Sequence, residues 1–410
     1  MQEFLKKAKK AAKEIAILQG DRKKEVLFAM ATALRNNAEA IIAENAKDMA
    51  YAQEHDLGSA LLDRLLVDPT RLESMAVSLE EIALLRDPVG RILDGWVNDN
   101  GLKMQKVSIP IGVIGVIYES RPNVTSDVAG LCFKSGNIAI LKGGKEAINS
   151  NLIIASTLQD VLVEHNLPRE AVAMIPDTSR DGVVKLIKED AYLDLIIPRG
   201  GEALIRYVNE NSSVPVVKHD KGLCHIFADE SVDFDMADSI IENAKTQRPG
   251  VCNAVETVLI HRDIAVAYLP RLKVMLDAHN TKLIGCNETA KILNVTLATE
   301  EDWHTEYHDN ILSIKIVKDI DEAIAHIATY GSGHSDAILT SDMLASEKFM
   351  DQVDSACVYV NASTRFTDGS SFGFGAEVGI STNKLHSRGP MGINDLTTYK
   401  YKVYGSGHIR

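Results

Sequence analysis

The sequence predicts an α/β fold with two doubly wound parallel sheets and a small extra β element, on three observations. From residue 111 onward, short apolar runs alternate with longer amphipathic stretches, which is the pattern of repeated βαβ units. The alternation comes in two series, the second starting near residue 225, so two sheets are expected. A chain of 410 residues also exceeds what one core usually holds.

Residues 1–90 read as helices. Phe4, Ala8, Ala11, Ile15 and Leu18 fall on one helical face. The opposite face is Lys-rich but carries Glu3 and Glu14, so it reads as a solvated surface and not as a targeting peptide. Helical spacing continues through "EVLFAMATALRNNAEAIIAENAKDMAYAQ". At "DGWVNDNGLKMQKVSIP" the period changes, and "NDNG" marks a hairpin turn between two strand-like arms.

The first alternating series runs "GVIGVIY", "VTSDVAGLCFKSG", "NIAILKG", "SNLIIASTLQDVLVEHN", "VAMIP", "SRDGVVKLIKE" and "LDLIIP". The second includes "HIFAD", "DMADSIIENAKTQ", "ETVLIH", "AYLPRLKVMLDAH", "TKLIG", "LSIKIV", "DIDEAIAHIATYG", "SDAILT" and "ACVYVNAS". Residues 362–392 are rich in Gly and Ser without a clear period, and read as a functional loop region. The tail "DLTTYKYKVYGSGHIR" alternates and reads as an edge strand. The expected division is a dinucleotide-binding domain at 1–95 and 109–228 and a catalytic domain at 229–392. The segments 96–108 and 393–410 form an oligomerisation hairpin and tail.

The composition, 45% hydrophobic and 25% charged, is that of a soluble protein. A net charge of −13 disfavours nucleic acid and acidic membrane surfaces as partners. No apolar run approaches the ~18 residues of a membrane span. Five scattered cysteines, an odd number, read as reduced thiols and so as a cytoplasmic protein.

"KGGKEA" lacks the spacing and the Ser or Thr of a phosphate-binding P-loop, and no GxGxxG follows the first strand. His304 and His308 in "HTEYH" would share a helical face, but a third ligand is missing, so no metal is expected. Cys132, Cys224 and Cys357 sit in apolar segments and read as buried. Cys286 lies at a strand end and competes as a nucleophile. Cys252, in "RPGVCNAVETVLIH", follows a helix and a Pro-Gly turn and precedes a strand. That junction can expose the sulfur and offer the residue's own N–H to an oxyanion.

"RPGVCNA" resembles the cysteine loop of the aldehyde dehydrogenase superfamily. "GVIGVIYESRPN", "GNIAILKGGKEA", "DLIIPRGGEAL" and "CVYVNAS" are similar to its cofactor strand and loop, its Lys-bearing strand, its glycine motif at a helix start and its "VWVN" strand. "GLCHIFAD", "GSGHSDAILT", "VNASTRFTDG", "GAEVGIST" and "KLHSRGPMG" resemble the branch that reduces an acyl phosphate of glutamate. The resemblance implies an aldehyde dehydrogenase-like fold and NADPH-dependent reduction of L-glutamyl 5-phosphate to L-glutamate 5-semialdehyde and phosphate, in proline biosynthesis. It implies Cys252 as nucleophile and a thioester intermediate.

The second oxyanion donor, an Asn in the wider superfamily, aligns with Ser120, with Asn123 nearby. Lys142, Lys145, Gly200, Gly201 and Glu306 fall at cofactor positions. Lys145 replaces a Glu that accepts ribose hydroxyls in NAD enzymes, so NADPH is expected over NADH. Arg121, Arg365 and Arg388 lie in the motif loops and, with Arg248, suit an anionic substrate. Arg248, Lys245 and His219 are candidates to lower the thiol pKa. The hydrolytic Glu of aldehyde-oxidising members is absent from "KHDKGLCH", where Lys218 and His219 stand instead, His219 at most a weak base. The implied partners are the small-molecule substrate and a second copy of the chain. A transient contact with glutamate 5-kinase is left open.

Overall fold

The strand Val113–Tyr118 shows how the first sheet is built. All six of its residues are buried, because helices cover both faces of a parallel sheet and leave no polar side. It pairs in parallel with Ile138–Lys142 and with Leu195–Arg199, and Ile138–Lys142 pairs in turn with Val172–Met174. The computed structural model describes residues 1–217 and 221–410, with Ser59 and Ala60 described by backbone alone. It divides into two units. The first comprises Met1–Lys218, Gly373–Gly379 and Pro390–Arg410, and the second His219–Phe372 and Ile380–Gly389.

In the first unit, five helices precede the sheet: Gln2–Ile15, Gly20–Asn36, Ala38–Glu54, Ser59–Leu65 and Pro69–Leu84. Helix Gln2–Ile15 buries Leu5, Ala8, Ala11 and Ile15, while Phe4 and Leu18 pack half-buried against the same core. The strand order places Val113–Tyr118 between Ile138–Lys142 and Leu195–Arg199. That is the point where the winding reverses, and loops at the carboxyl ends of such neighbours line the usual ligand crevice of an open α/β sheet. Tyr118 and Arg199 are register partners, so residues 119–121 and 200–201 leave the sheet side by side.

The expected hairpin and tail form a three-stranded antiparallel sheet. Lys103–Pro110 is its centre, flanked by Ile92–Val97 and Thr397–Tyr404. The turn closes through Gly101 N–H to Asn98 O at 2.8 Å, with Gly101 at φ +86°, a conformation that needs glycine. Ile92, Val97, Tyr401 and Val403 are all exposed.

The second unit is a seven-stranded parallel sheet. Its order is Thr296–Leu297, Lys282–Gly285, Ile311–Val317, Val255–His261, Cys224–Ala228, Ser335–Leu339 and Cys357–Val360. The strand Cys224–Ala228 therefore belongs to this unit, and the division falls near 218 where the sequence suggested 228. "HTEYH" is not a helix: Glu301–His304 is a single 3-10 turn and His308 has φ +53°, so His304 and His308 share no helical face. Among the described residues, no helix is long and apolar enough to cross a membrane.

Candidate active site

Cys252 sits in a loop held at both ends. Helix Phe234–Thr246 begins with the Asp233 carboxylate accepting the Met236 N–H at 2.8 Å. It ends at Thr246, and strand Val255–His261 begins nine residues later. Between them, Ala254 N–H donates to Val251 O at 3.0 Å. The Asn253 amide donates to Thr367 O at 2.9 Å, and the Thr364 hydroxyl donates to Asn253 O at 2.8 Å. The segment 364–367 thus fastens the loop immediately after the cysteine.

From below, the Cys224 thiol donates to Cys252 O at 3.2 Å. Gly222 packs directly on the cysteine backbone: a Cβ there would lie 2.2 Å from Cys252 O and 2.3 Å from its Cα. Cys252 is half-buried. Burial pushes the Cys132 thiol up to about 12, and it also raises the thiols of Cys224 and Cys357. These three are poor nucleophiles. Cys286 is half-buried at a helix N-cap, its sulfur 3.3 Å from Thr289 Oγ1 and accepting the Ile316 N–H at 3.5 Å.

The guanidinium of Arg365 reaches this loop. It donates to Asn253 Oδ1, and its Nε donates to Gln247 Oε1 at 3.1 Å. Burial lowers the Arg365 pKa, neighbouring Arg248 lowers it further, and Asp368 and Cys252 oppose both. The Arg365 guanidinium is thus tied to the residue that follows the cysteine, and Arg248 lies four residues before the cysteine in the same loop. Arg388 is held elsewhere, donating to Asp354 Oδ1 and to Asp354 O at 2.7 Å each. Lys384 and Arg388 together hold the Asp354 carboxyl below its ordinary range. Glu306 lies 3.4 Å from His308 Nε2, its side chain 9% exposed. Lys245 is fully buried and paired with Glu256 at 2.7 Å. That pairing corrects the expectation that Lys245 is a spare cation for the thiol. His219 lies outside the described residues.

In the first unit, the residues at the sheet's carboxyl edge satisfy one another. Gly201 N–H donates to Glu119 Oε2 at 2.8 Å, so a carboxylate oxygen sits at the N-terminus of helix Glu202–Asn211. A Cβ at Gly200 would lie 2.6 Å from that same oxygen. The site accepts an anionic oxygen and needs glycine to do so. Ser120, at φ +40°, donates both its N–H and its hydroxyl to Glu146 Oε1 at 2.8 Å each. Asn123 is exposed and donates to Asp127 Oδ2 at 3.0 Å. Arg121 is the N-cap residue of helix Pro122–Lys134.

Lys142 is buried at the end of its strand. Burial lowers its pKa, against the pull of Asp177 and Glu146. Lys145 is exposed, its ammonium 5.8 Å from the Tyr51 ring centroid.

Sequence reasoning missed Glu119, Glu146, Gly222 and Glu256. A charged residue inside the apolar run "VETVLI" was the available signal for Glu256. The partners of Glu119 and Glu146 are distant in sequence and left no local trace. Among the described residues, Glu230, His261 and Asp263 bring one donor atom each within 4.8 Å of one another. His261 Nδ1 there accepts the Asp263 N–H at 3.3 Å, which makes it a helix cap.

The model of the aldehyde dehydrogenase family matches residues 1–283 and 285–401. A γ-glutamyl phosphate reductase of Nautilia profundicola is 62% identical over 410 residues, covering all of both chains. One from Nitratiruptor is 63% identical over 411 residues, again with full coverage of both. The crystal structure of a γ-glutamyl phosphate reductase from Thermotoga maritima superposes with a TM-score of 0.98 at 45% identity, covering 100% of this chain and 99% of that one.

Proposed function

The chain belongs to the aldehyde dehydrogenase family of oxidoreductases, and on that premise we propose that it reduces L-glutamyl 5-phosphate to L-glutamate 5-semialdehyde with NADPH. The observation that carries this reading is the Arg365 guanidinium bonded to Asn253 and Gln247 of the loop that holds half-buried Cys252. A guanidinium fixed to the nucleophile's loop, with a second Arg in that loop, suits a substrate whose leaving group is a phosphate. The full-length likeness to proteins bearing that name supports it.

The chemistry follows from the electrophile. A carboxylate carbon is too electron-rich to take hydride, but an acyl phosphate is activated. The Cys252 thiolate forms a C–S bond to the γ-carbonyl carbon, and the bond from that carbon to the bridging phosphate oxygen breaks. Phosphate leaves with the electron pair, its charge met by Arg365 and Arg248. The resulting thioester is electrophilic at carbon, and NADPH, when bound, supplies the hydride. The hemithioacetal then collapses by expelling the Cys252 thiolate, which releases the aldehyde and restores the enzyme. Glu306 would accept the hydroxyls of the nicotinamide ribose. Lys142, Lys145 and the Gly200–Gly201 turn would hold the phosphates.

Arg388 already binds Asp354, so Arg365 and Arg248 are the stronger assignments for the phosphate. The protein would act in the cytoplasm, in proline biosynthesis, as a homodimer or larger assembly through the exposed three-stranded sheet. It would meet glutamate 5-kinase at most in passing.

The reverse reaction tests this directly. The purified enzyme is mixed with glutamate semialdehyde and NADP⁺, with and without inorganic phosphate. Steady NADPH formation is expected only with phosphate, because the "KHDKGLCH" segment has no Glu to activate water. Equal rates in both tubes, with free glutamate as product, would sink the reading. A rate that depends on coenzyme A instead would assign an acylating aldehyde dehydrogenase.

A further inference from the structure

The cysteine loop contains a β-turn whose orientation is set from beneath. Ala254 N–H donates to Val251 O at 3.0 Å, so Cys252 and Asn253 are the two central residues. Neither has a positive φ, which makes the turn type I. A type II turn keeps the same closing bond but turns its central peptide over. That exchanges the places of the Cys252 carbonyl and the Asn253 N–H. Type II needs positive φ at the second central residue, and Asn takes it more readily than most residues. Asn166, Asn280, Asn294 and Asn361 do so elsewhere in this chain. Local sterics at Asn253 therefore leave both turns open, and a contact must choose between them.

Cys224 makes that contact. Its sulfur lies 3.2 Å from Cys252 O, the oxygen of the central peptide. A carbonyl only accepts, so the thiol's one proton goes to this bond. The thiol is fully buried, and burial raises its pKa well above the ordinary value. It therefore stays a donor at neutral pH. The sulfur is itself tied back to the same loop. His334 Nδ1 stands 3.6 Å from it and 2.8 Å from Ser335 Oγ. Ser335 Oγ lies 2.6 Å from Thr367 Oγ1, and Thr367 O accepts the Asn253 amide at 2.9 Å. Cys224, His334, Ser335 and Thr367 are all buried. This ring of bonds grips the turn at Cys252 O and at the Asn253 side chain.

We propose that Cys224 is a positioning residue whose thiol keeps the central peptide of the Cys252 turn in its type I orientation, with the Asn253 N–H turned away from Cys224 and left to meet the developing oxyanion. This rests on the reading of Cys252 as the nucleophile. The N–H that follows a nucleophile in the chain serves as an oxyanion donor in other acyl-transfer sites. In the flipped turn a carbonyl oxygen would stand in its place and repel the same charge. A donor is needed there, since the N–H and the hydroxyl of Ser120 are both given to Glu146.

The test measures turnover of full-chain variants with glutamate semialdehyde, NADP⁺ and phosphate, at a temperature where each is folded. Cys224→Ala removes the donor, and turnover should fall about three- to tenfold, the scale of one hydrogen bond. Cys224→Ser keeps a donor and should stay within about twofold of the parent. Packing alone predicts the opposite order, because a buried cysteine behaves as a small apolar side chain and alanine replaces it better than serine. Cys224→Ser no faster than Cys224→Ala overturns the proposal, as does a Cys224→Ala enzyme that matches the parent.

A crystal structure of Cys224→Ala reads the turn itself. Asn253 is expected at positive φ with the Cys252 carbonyl turned over, and an unmoved peptide overturns the proposal. Should Cys224→Ala fail to fold, Cys224→Thr and Cys224→Val decide, since the two side chains share a shape and differ in the donor. The Cys224→Thr enzyme must be at least about threefold faster, and equal rates overturn the proposal. Cys252→Ser separates the two levels. A parental rate there removes Cys252 as the nucleophile, whereas the φ of Asn253 in Cys224→Ala still answers for the turn.

Discussion

The two units handle charge at their chemical edges in opposite ways. In the first, the donors at the sheet's carboxyl end are taken by the protein's own exposed or half-buried carboxylates, Glu119 on Gly201 N–H and Glu146 on Ser120. In the second, charge is settled in the interior, with Lys245 and Glu256 locked together under the cysteine loop. A contact at a solvated edge is cheap to exchange for another anion. A fully buried pair is not, because breaking it strands a charge. The first arrangement suits a site that must take up and release a ligand. The second suits one that must hold a nucleophile in a fixed place.

The sharpest way to break this comparison is at the nucleophile. Cys252→Ser should lower turnover by at least ~10³-fold, since a serine hydroxyl is scarcely ionised at neutral pH. Cys286→Ser should keep turnover within about twofold. Steady-state rates of the two purified variants decide it, and the reverse order would move the chemistry to Cys286.

A smaller effect is expected from the ground beneath the nucleophile. Gly222→Ala introduces a Cβ 2.2–2.5 Å from the backbone and Cβ of Cys252. The neighbour there is backbone, which cannot swing aside as a side chain can. Overpacking of this kind costs about 1–3 kcal/mol. A comparable loss in transition-state energy is roughly 5- to 150-fold in kcat. KM for the substrate should rise as well, because Arg248 lies in the loop and Arg365 is bonded to it through Asn253 and Gln247. A variant with parental kcat and melting temperature would show that the loop yields freely.

These residues also mark what the sequence could reveal. The periodicity of Ala8, Ala11 and Ile15 and the unbroken apolar run of "GVIGVIY" made the first helix and its central strand legible, because burial acts on local spacing. The position of Cys252 at a turn between helix and strand was legible for the same reason. The unit boundary was not. Cys224–Ala228 is drawn into the second sheet by pairing with Val255–His261 and Ser335–Leu339, partners about 31 or more residues away. Gly222 reads as an ordinary turn glycine until Cys252 is placed on top of it. Lys245 reads as a free cation until Glu256, eleven residues on, closes over it. Long-range contacts of this kind leave no periodic trace.

The smallest expected effect probes the exchangeable edge, and it carries two opposite signs. Glu119 caps helix Glu202–Asn211 through Gly201 N–H at 2.8 Å, and a carboxylate at a helix start contributes about 0.5–2 kcal/mol through the bond and the helix dipole. A cofactor phosphate at that N–H would have to displace it and would also meet its negative charge. Glu119→Ala should therefore lower the melting temperature of the cofactor-free protein while tightening NADPH binding by about two- to fivefold, the scale of an exposed charge contact. Glu119→Gln keeps a hydrogen-bond acceptor but drops the charge, so it should recover most of the stability and part of the gain in affinity. Added salt should narrow the affinity difference between parent and Glu119→Gln, because that difference is electrostatic. Thermal melts and fluorescence titrations on the three proteins give both quantities. If Glu119→Ala instead weakens NADPH binding, then Glu119 holds the loop for the cofactor and does not stand in its place, and the contrast between an exchangeable edge and a fixed interior fails at its first term.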